Sequence, residues 1–211
     1  TVQKSGVYLV ALAGGSASGK TSFIRKLSEE FGEDKVCVIS QDHYYKGLSE
    51  QKRDENGMVN FDHPTGIDFG RIKKDLRKLL RGQTVKIVEY TFNNPDVFPK
   101  EIVYKPAPII LLEGLFVFAD ESLNKMYDYR LYVHADDDVT LKRRVARDTA
   151  ERGMTLDEVM YQWDNHVKPA YDEFLKPHKS EADYVIQNNE DFSECLQKVI
   201  VKFNDVIAQN S

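Results

Sequence analysis

The chain has 211 residues, 41% of them hydrophobic and 30% charged, with a formal net charge of −5. These values describe a folded globular chain of ordinary single-domain size and exclude a disordered one. The acidic balance argues against general nucleic-acid binding, because a phosphate backbone repels such a surface.

No stretch approaches the roughly eighteen apolar residues of a membrane span, and the N-terminus lacks the pattern of a secretory leader. Cys37 and Cys195 stand far apart, with neither metal-ligand nor redox-motif spacing. A reducing, cytoplasmic setting is the expectation.

In chain order, Val7 to Ala13 reads as a buried strand that runs into a glycine-rich turn. Helical spacing then carries Phe23, Ile24, Leu27 and Phe31 to a stop at Gly32. A second strand is expected over Lys35 to Ser40, and a helix over Asp68 to Arg81. Thr84 to Tyr90 and Glu101 to Tyr104 read as a β-hairpin whose long loop contains Pro95 and Pro99. Pro108 to Leu112 is the most apolar run and predicts a strand buried on both faces. Further strands are expected over Tyr129 to His134 and Tyr184 to Gln187. Helices are expected over Asp136 to Glu151, over Leu156 to Phe174 with a break near Pro169, and over Asp191 to Gln209. Strands alternating with helices imply an α/β fold: a five-stranded parallel sheet with helices on both faces. Residues 1–211 read as one domain, with a hairpin insertion at about 84–104.

The sharpest motif is Gly14-Gly15-Ser16-Ala17-Ser18-Gly19-Lys20-Thr21, which fits the phosphate-loop pattern G-x-x-x-x-G-K-[ST] between a strand and a helix. Its glycines let successive N–H groups converge on phosphate oxygens at a helix N-terminus. Lys20 is expected to reach the β- and γ-phosphates and the Thr21 hydroxyl to ligate Mg²⁺, with Ser22 completing the nucleotide-binding set.

A phosphate loop alone does not separate a kinase from a GTPase, an ATPase or a sensor. The nearest approach to a guanine-reading Asn-Lys-x-Asp is Asn124-Lys125-Met126-Tyr127-Asp128, whose aspartate falls one place late. Asp68-Phe69-Gly70 spells a protein-kinase motif without its catalytic-loop partner. Three other clusters point to phosphoryl transfer. Asp42 follows the second strand, where ligands bind in doubly wound sheets, and suits a base for an attacking hydroxyl. Glu113 closes the most apolar strand, the position of an acid that holds Mg²⁺. Lys142 to Asp148 places Arg144 and Arg147 on one helix face, with Arg152 beyond and Asp148 one turn from Arg144. His63, His134, His166 and His178 show no metal-ligand spacing and read as packing or surface residues. Trp163 reads equally as core or substrate contact.

Together with Ser40-Gln41-Asp42, Asn60-Phe61-Asp62-His63-Pro64, Leu112-Glu113-Gly114, Glu151-Arg152-Gly153, Val167-Lys168-Pro169 and Ala182-Asp183, these residues resemble the phosphoribulokinase/uridine kinase family, in particular its uridine- and cytidine-phosphorylating members. The likeness runs from about Leu9 to Ile207. It implies a P-loop kinase that phosphorylates a nucleoside 5′-hydroxyl with ATP (GTP being the alternative donor) and Mg²⁺. By matching motifs it casts Asp42 as the base, Lys20, Arg147 and Arg152 as phosphate ligands, and Thr21 and Glu113 as metal ligands. It gives the sugar hydroxyls to Asp62, Arg144 and Gln162. The base goes to an aromatic wall of Tyr90 and Phe92, with Tyr45 and Phe61 in the same substrate set. Asp191 falls near the adenine-side contact, and residues 136–154 form an arginine-bearing lid. A homotetramer is also implied.

Two positions depart from the family. Pro95 stands where a base-reading histidine is expected, and Met154 where an arginine contacts the base. Asn93 or Asn94 is an alternative reader. A different nucleoside or sugar-like acceptor, or a regulatory nucleotide-binding module, are the competing readings.

Overall fold

The computed structural model describes residues 6–210. Strand β1 (Tyr8–Gly14) is the middle of a five-stranded, all-parallel sheet. Its neighbours are β5 (Ile109–Gly114) and β6 (Tyr129–His134); β2 (Val36–Ser40) lies outside β5 and β7 (Tyr184–Gln187) outside β6. Alternating side chains of β1 enter opposite cores, as a pleated strand covered on both faces requires. Leu9, Ala11 and Ala13 pack toward α2 (Phe69–Leu80), whereas Val10 and Leu12 pack toward α1 (Lys20–Phe31) and α7 (Ser193–Gln209). The apolar run ending in Leu112 is buried on both faces as expected.

Local chemistry sets the helix ends. Asp68 caps α2 by accepting from the Arg71 amide at 2.9 Å, and Gly82 follows the helix in the left-handed conformation. Strands β3 (Val85–Val88) and β4 (Glu101–Tyr104) form a separate antiparallel hairpin with Val85 opposite Tyr104. Val85 and Ile87 turn inward while Lys86 and Val88 face out. A short helix, α3 (Glu121–Asn124), follows β5 and is too brief for a periodic signal.

Helix α4 (Asp137–Glu151) crosses above the carboxyl ends of the strands and is followed by α5 (Leu156–Gln162), which opens on a Thr155–Glu158 capping box. The expected break at Pro169 is absent. The chain instead stays helical through two wide π-turns, Trp163–Val167 and Tyr171–Leu175, around the short α6 (Lys168–Ala170). Lys168 N–H donates to Trp163 O, five residues back, and this widening accommodates a proline that supplies no N–H. Among the described residues no helix is long and apolar enough to cross a membrane.

Candidate active site

The carboxyl end of β1 runs into the phosphate loop, and Lys20 opens α1 directly after it. Ala17 (φ 59°) and Gly19 (φ 102°) adopt left-handed backbone, which turns the loop within a few residues. From the end of β7, Asn188 braces it by donating to Ser18 O at 2.8 Å. A methyl at Gly19 would collide with that Asn188 amide and would also sit at a positive φ. Gly19→Ala is therefore expected to cost about 1–3 kcal/mol of stability, read as a lower melting temperature.

Pairing register brings the next groups beside the loop. Ser40 of β2 lies opposite Glu113 of β5, and Leu12 of β1 flanks Glu113 on the other side. Burial pushes the Glu113 carboxyl above its ordinary range; Lys20 opposes the shift, Asp42 adds to it, and a Ser40 hydrogen bond opposes it. Asp42 occupies a 3₁₀ turn (Gln41–Tyr44) held at both ends. Gln41 Oε1 accepts from the Phe116 amide at 2.9 Å, and Tyr44 hydroxyl donates to Asp75 at 3.2 Å. The exposed Asp42 carboxylate thus stands between two buried anchors.

Above the loop, the side chain of Asp148 is fully buried, and its carboxylate lies within ion-pair distance of three guanidinium groups. Arg144 Nε is 3.2 Å away, Arg147 Nε 2.8 Å and Arg152 Nη1 3.3 Å. Arg144 reaches further, donating to Ser16 Oγ at 2.7 Å and to Gln162 Oε1 at 2.8 Å. That bond ties the helix to the phosphate loop. Burial lowers the Arg144 pKa, against the pull of Asp148 and Asp62.

The far side of the cleft is aromatic. Tyr45, Phe61, Tyr90 and Phe92 pack against one another with ring centroids 5.1–6.4 Å apart. Phe92 (φ 53°) and Asn93 (φ 59°) hold the hairpin tip in consecutive left-handed conformations, uncommon for non-glycine residues. Asn93 Nδ2 donates to the Tyr90 hydroxyl at 3.3 Å. Asp62 lies beside this cluster; burial raises its carboxyl pKa, against Arg144 and then His166.

A cleft of about 630 Å³ joins these parts. Lining it are Gly15, Ser16, Ala17, Gly19, Lys20, Thr21 and Ser22 from the loop and helix, Asp42 and Glu113 from the strand ends, and Arg144, Arg147 and Arg152 from the overlying segment. Tyr45, Phe61, Asp62, Phe92 and Gln162 line its other end. Gly14 and Ser18 support the loop from beneath, and Tyr90 stands behind Tyr45 and Phe92. Asp191 lies off the cleft and accepts from the Ser193 hydroxyl at 2.8 Å, just before α7. Trp163 is buried and lines a small neighbouring cavity that shares Gly15, Ser16, Asp62 and Leu115 with the main cleft.

His166 differs from its reading as a packing or surface residue: it lines the cleft, with Nε2 2.7 Å from Asp54 Oδ2. Neither residue sits in a recognisable motif, so only their meeting in space reveals them.

An all-parallel sheet, a phosphate loop leaving its central strand, a strand-end acid beside it and an arginine-bearing helix above it define the class: a P-loop kinase fold. The chain belongs to the Phosphoribulokinase / Uridine kinase family, whose model matches residues 9–193. It is 37% identical over 178 residues to a uridine kinase of Brevibacillus brevis, covering 84% of this chain and 83% of that one. A uridine-cytidine kinase 2-B of Danio rerio is 34% identical over 209 residues, covering 95% and 80%. In fold, the chain superimposes on phosphoribulokinase from Rhodobacter spheroides with a TM-score of 0.63 at 17% identity, over 86% of this chain and 70% of that one.

Proposed function

We propose that this protein transfers the γ-phosphoryl group of ATP to the 5′-hydroxyl of uridine or cytidine, giving the nucleoside monophosphate. The observation that carries this reading is the one cleft in which a phosphate loop, two carboxylates at the strand ends and an arginine cluster meet an aromatic end that also carries Asp62 and Gln162. Relatives named uridine kinase and uridine-cytidine kinase, matched over most of their length, support it.

In this reading the loop amides from Gly14 to Ser22 and Lys20 cradle the triphosphate, and Arg147 and Arg152 close on it. Asp42 accepts the proton of the attacking hydroxyl. Asp62, Arg144 and Gln162 hold the sugar, while Tyr45, Phe61, Tyr90 and Phe92 stack around the base. Residues 136–154 act as the lid that excludes water.

The donor set fits a divalent cation: the two carboxylates Glu113 and Asp42 repel across the cleft floor, and Thr21 lines the same space. Thr21 and Glu113 would hold Mg²⁺, which when bound neutralises phosphate charge during transfer.

Glu113→Gln tests the metal role with a sign. A carboxyl whose pKa is raised by folding binds its proton more tightly in the native state. Its contribution therefore favours the fold at low pH and is lost as pH rises through the raised value. The variant is expected to melt higher than wild type at pH 7 without nucleotide, with the gap narrowing toward pH 5, while Mg-dependent turnover falls at least about 100-fold. A variant that melts lower at pH 7 argues against this account.

The overall assay is ADP release from Mg-ATP across uridine, cytidine, purine nucleosides, free ribose and simple sugars, with products weighed by mass spectrometry. Uridine and cytidine monophosphates are the expected products, and silence on both overturns the assignment. GTP in place of ATP defines the donor. We further read residues 1–211 as one cytoplasmic kinase domain assembling as a homotetramer. The exposed Val88, Val103 and Phe98 of the hairpin region suit burial against another copy, which light scattering of the purified protein checks.

A further inference from the structure

Residues 51–61 fold back on themselves through a bridge between Arg53 and Val59, and the loop is fastened to α5 and the first π-turn by Asp54. One Asp54 oxygen accepts from the Tyr161 hydroxyl at 2.6 Å and lies 2.7 Å from His166 Nε2. The other accepts the backbone amides of Asn56 and Met58, each at 2.9 Å. Asn56 Nδ2 in turn donates to the Tyr161 hydroxyl at 2.8 Å. The Tyr161 bond, followed by those from His166, Met58 and Asn56, outweighs desolvation and holds the Asp54 carboxyl at about 2. An ionised carboxylate only accepts, so the proton of this contact belongs to Nε2 of the imidazole.

In the neutral ring Nδ1 is then a lone-pair acceptor, and it has no hydrogen-bond partner among the described residues. The ring is buried yet forms part of the cleft wall, one helical turn beyond Gln162 and in the same cleft as Asp62. Asp62 is one acceptor at this end of the cleft, but Arg144 carries none and the Gln162 carbonyl already accepts from Arg144. A vicinal diol brings two O–H donors to such a wall, and acceptors must meet them.

We propose that His166 is a specificity-determining residue of the acceptor site, its Nδ1 accepting a hydrogen bond from a ribose hydroxyl beside Asp62, with Asp54 as the positioning residue that fixes its tautomer and orientation. The inference rests on the nucleoside-kinase reading above. A site that pairs a substrate hydroxyl discriminates strongly against the analogue lacking it, because its own buried group is then left unpaired.

The test compares kcat/KM for uridine, 2′-deoxyuridine and 3′-deoxyuridine in wild type, His166→Gln and His166→Phe, with melting curves for all three proteins. Glutamine places an amide donor near the former Nε2, keeping the Asp54 contact, but offers nothing in place of Nδ1. His166→Gln is expected to melt like wild type and keep its KM for ATP. Its uridine kcat/KM should fall about tenfold or more, and its preference for uridine over one of the two deoxynucleosides should collapse. His166→Phe should lose the same preference, and the latch as well. A preserved uridine-to-deoxyuridine ratio in His166→Gln overturns the proposal, as does a wild type indifferent to both hydroxyls. Wild type inert toward uridine and cytidine but active on another ribose-bearing acceptor removes the pyrimidine assignment alone, and the ratio test then proceeds on that acceptor and its deoxy forms. Inactivity on every acceptor overturns both.

Discussion

Asp42→Asn is expected to lower kcat about a thousandfold while leaving the KM for ATP within about twofold and the melting temperature no lower than wild type. The exposed carboxylate carries no hydrogen bond in the structure that folding would miss. Its turn is fixed instead by Gln41 and Tyr44 on either side, so the isosteric amide leaves the cleft intact. What the amide lacks is basicity: a thousandfold is about 4 kcal/mol of transition-state free energy, within reach of a lost general base. Single-turnover kinetics in saturating Mg-ATP and uridine separate this from slower product release. A kcat within tenfold of wild type would remove Asp42 from the proton-transfer role.

Asp148→Ala has the largest expected effect on stability. The carboxylate is wholly buried and lies against the equally buried Arg144. Removing one partner of such a pair strands the other charge, a loss of about 3–5 kcal/mol, equivalent here to a fall on the order of 10 °C in melting temperature. Arg147 and Arg152 are more exposed and return to solvent at little cost. Buried pairs can often be exchanged for apolar groups of similar volume, so Arg144→Met combined with Asp148→Leu is expected to recover most of the lost stability. Turnover should stay low in the double variant, because Ser16 and Gln162 lose their guanidinium partner. Thermal melts and kcat on the three proteins check both halves. A double variant as unstable as Asp148→Ala would show that the arginine is not the stranded charge.

Much of the sheet was legible because each strand announces itself locally. The run ending in Leu112 is apolar at every position and proved buried on both faces, and Glu113 at its end lies where the phosphate loop needs an acid. The pairing of Arg144 with Asp148 followed from helical spacing alone. The π-turns were not legible, since wide turns share the apolar spacing of an ordinary helix and Pro169 reads as a break. Nor was the Asp54–His166 contact, which joins residues 112 positions apart through a loop with no periodicity. Local pattern reports faces and ends; it carries no information about which loop lands on which helix.

The strand order has a consequence for how the chain is made. Apart from the small hairpin, only β6 and β7 among the described strands are neighbours both in sequence and in the sheet. Tyr8 must wait for Ile109, and β2 likewise finds its partner only once β5 exists. A chain emerging from the ribosome therefore exposes its phosphate-binding strand as an unpaired apolar segment until β5 has followed it. Long-range parallel pairing of this kind is slow to nucleate. Nascent chains short of Gly114 should consequently be clients for chaperones rather than for nucleotide.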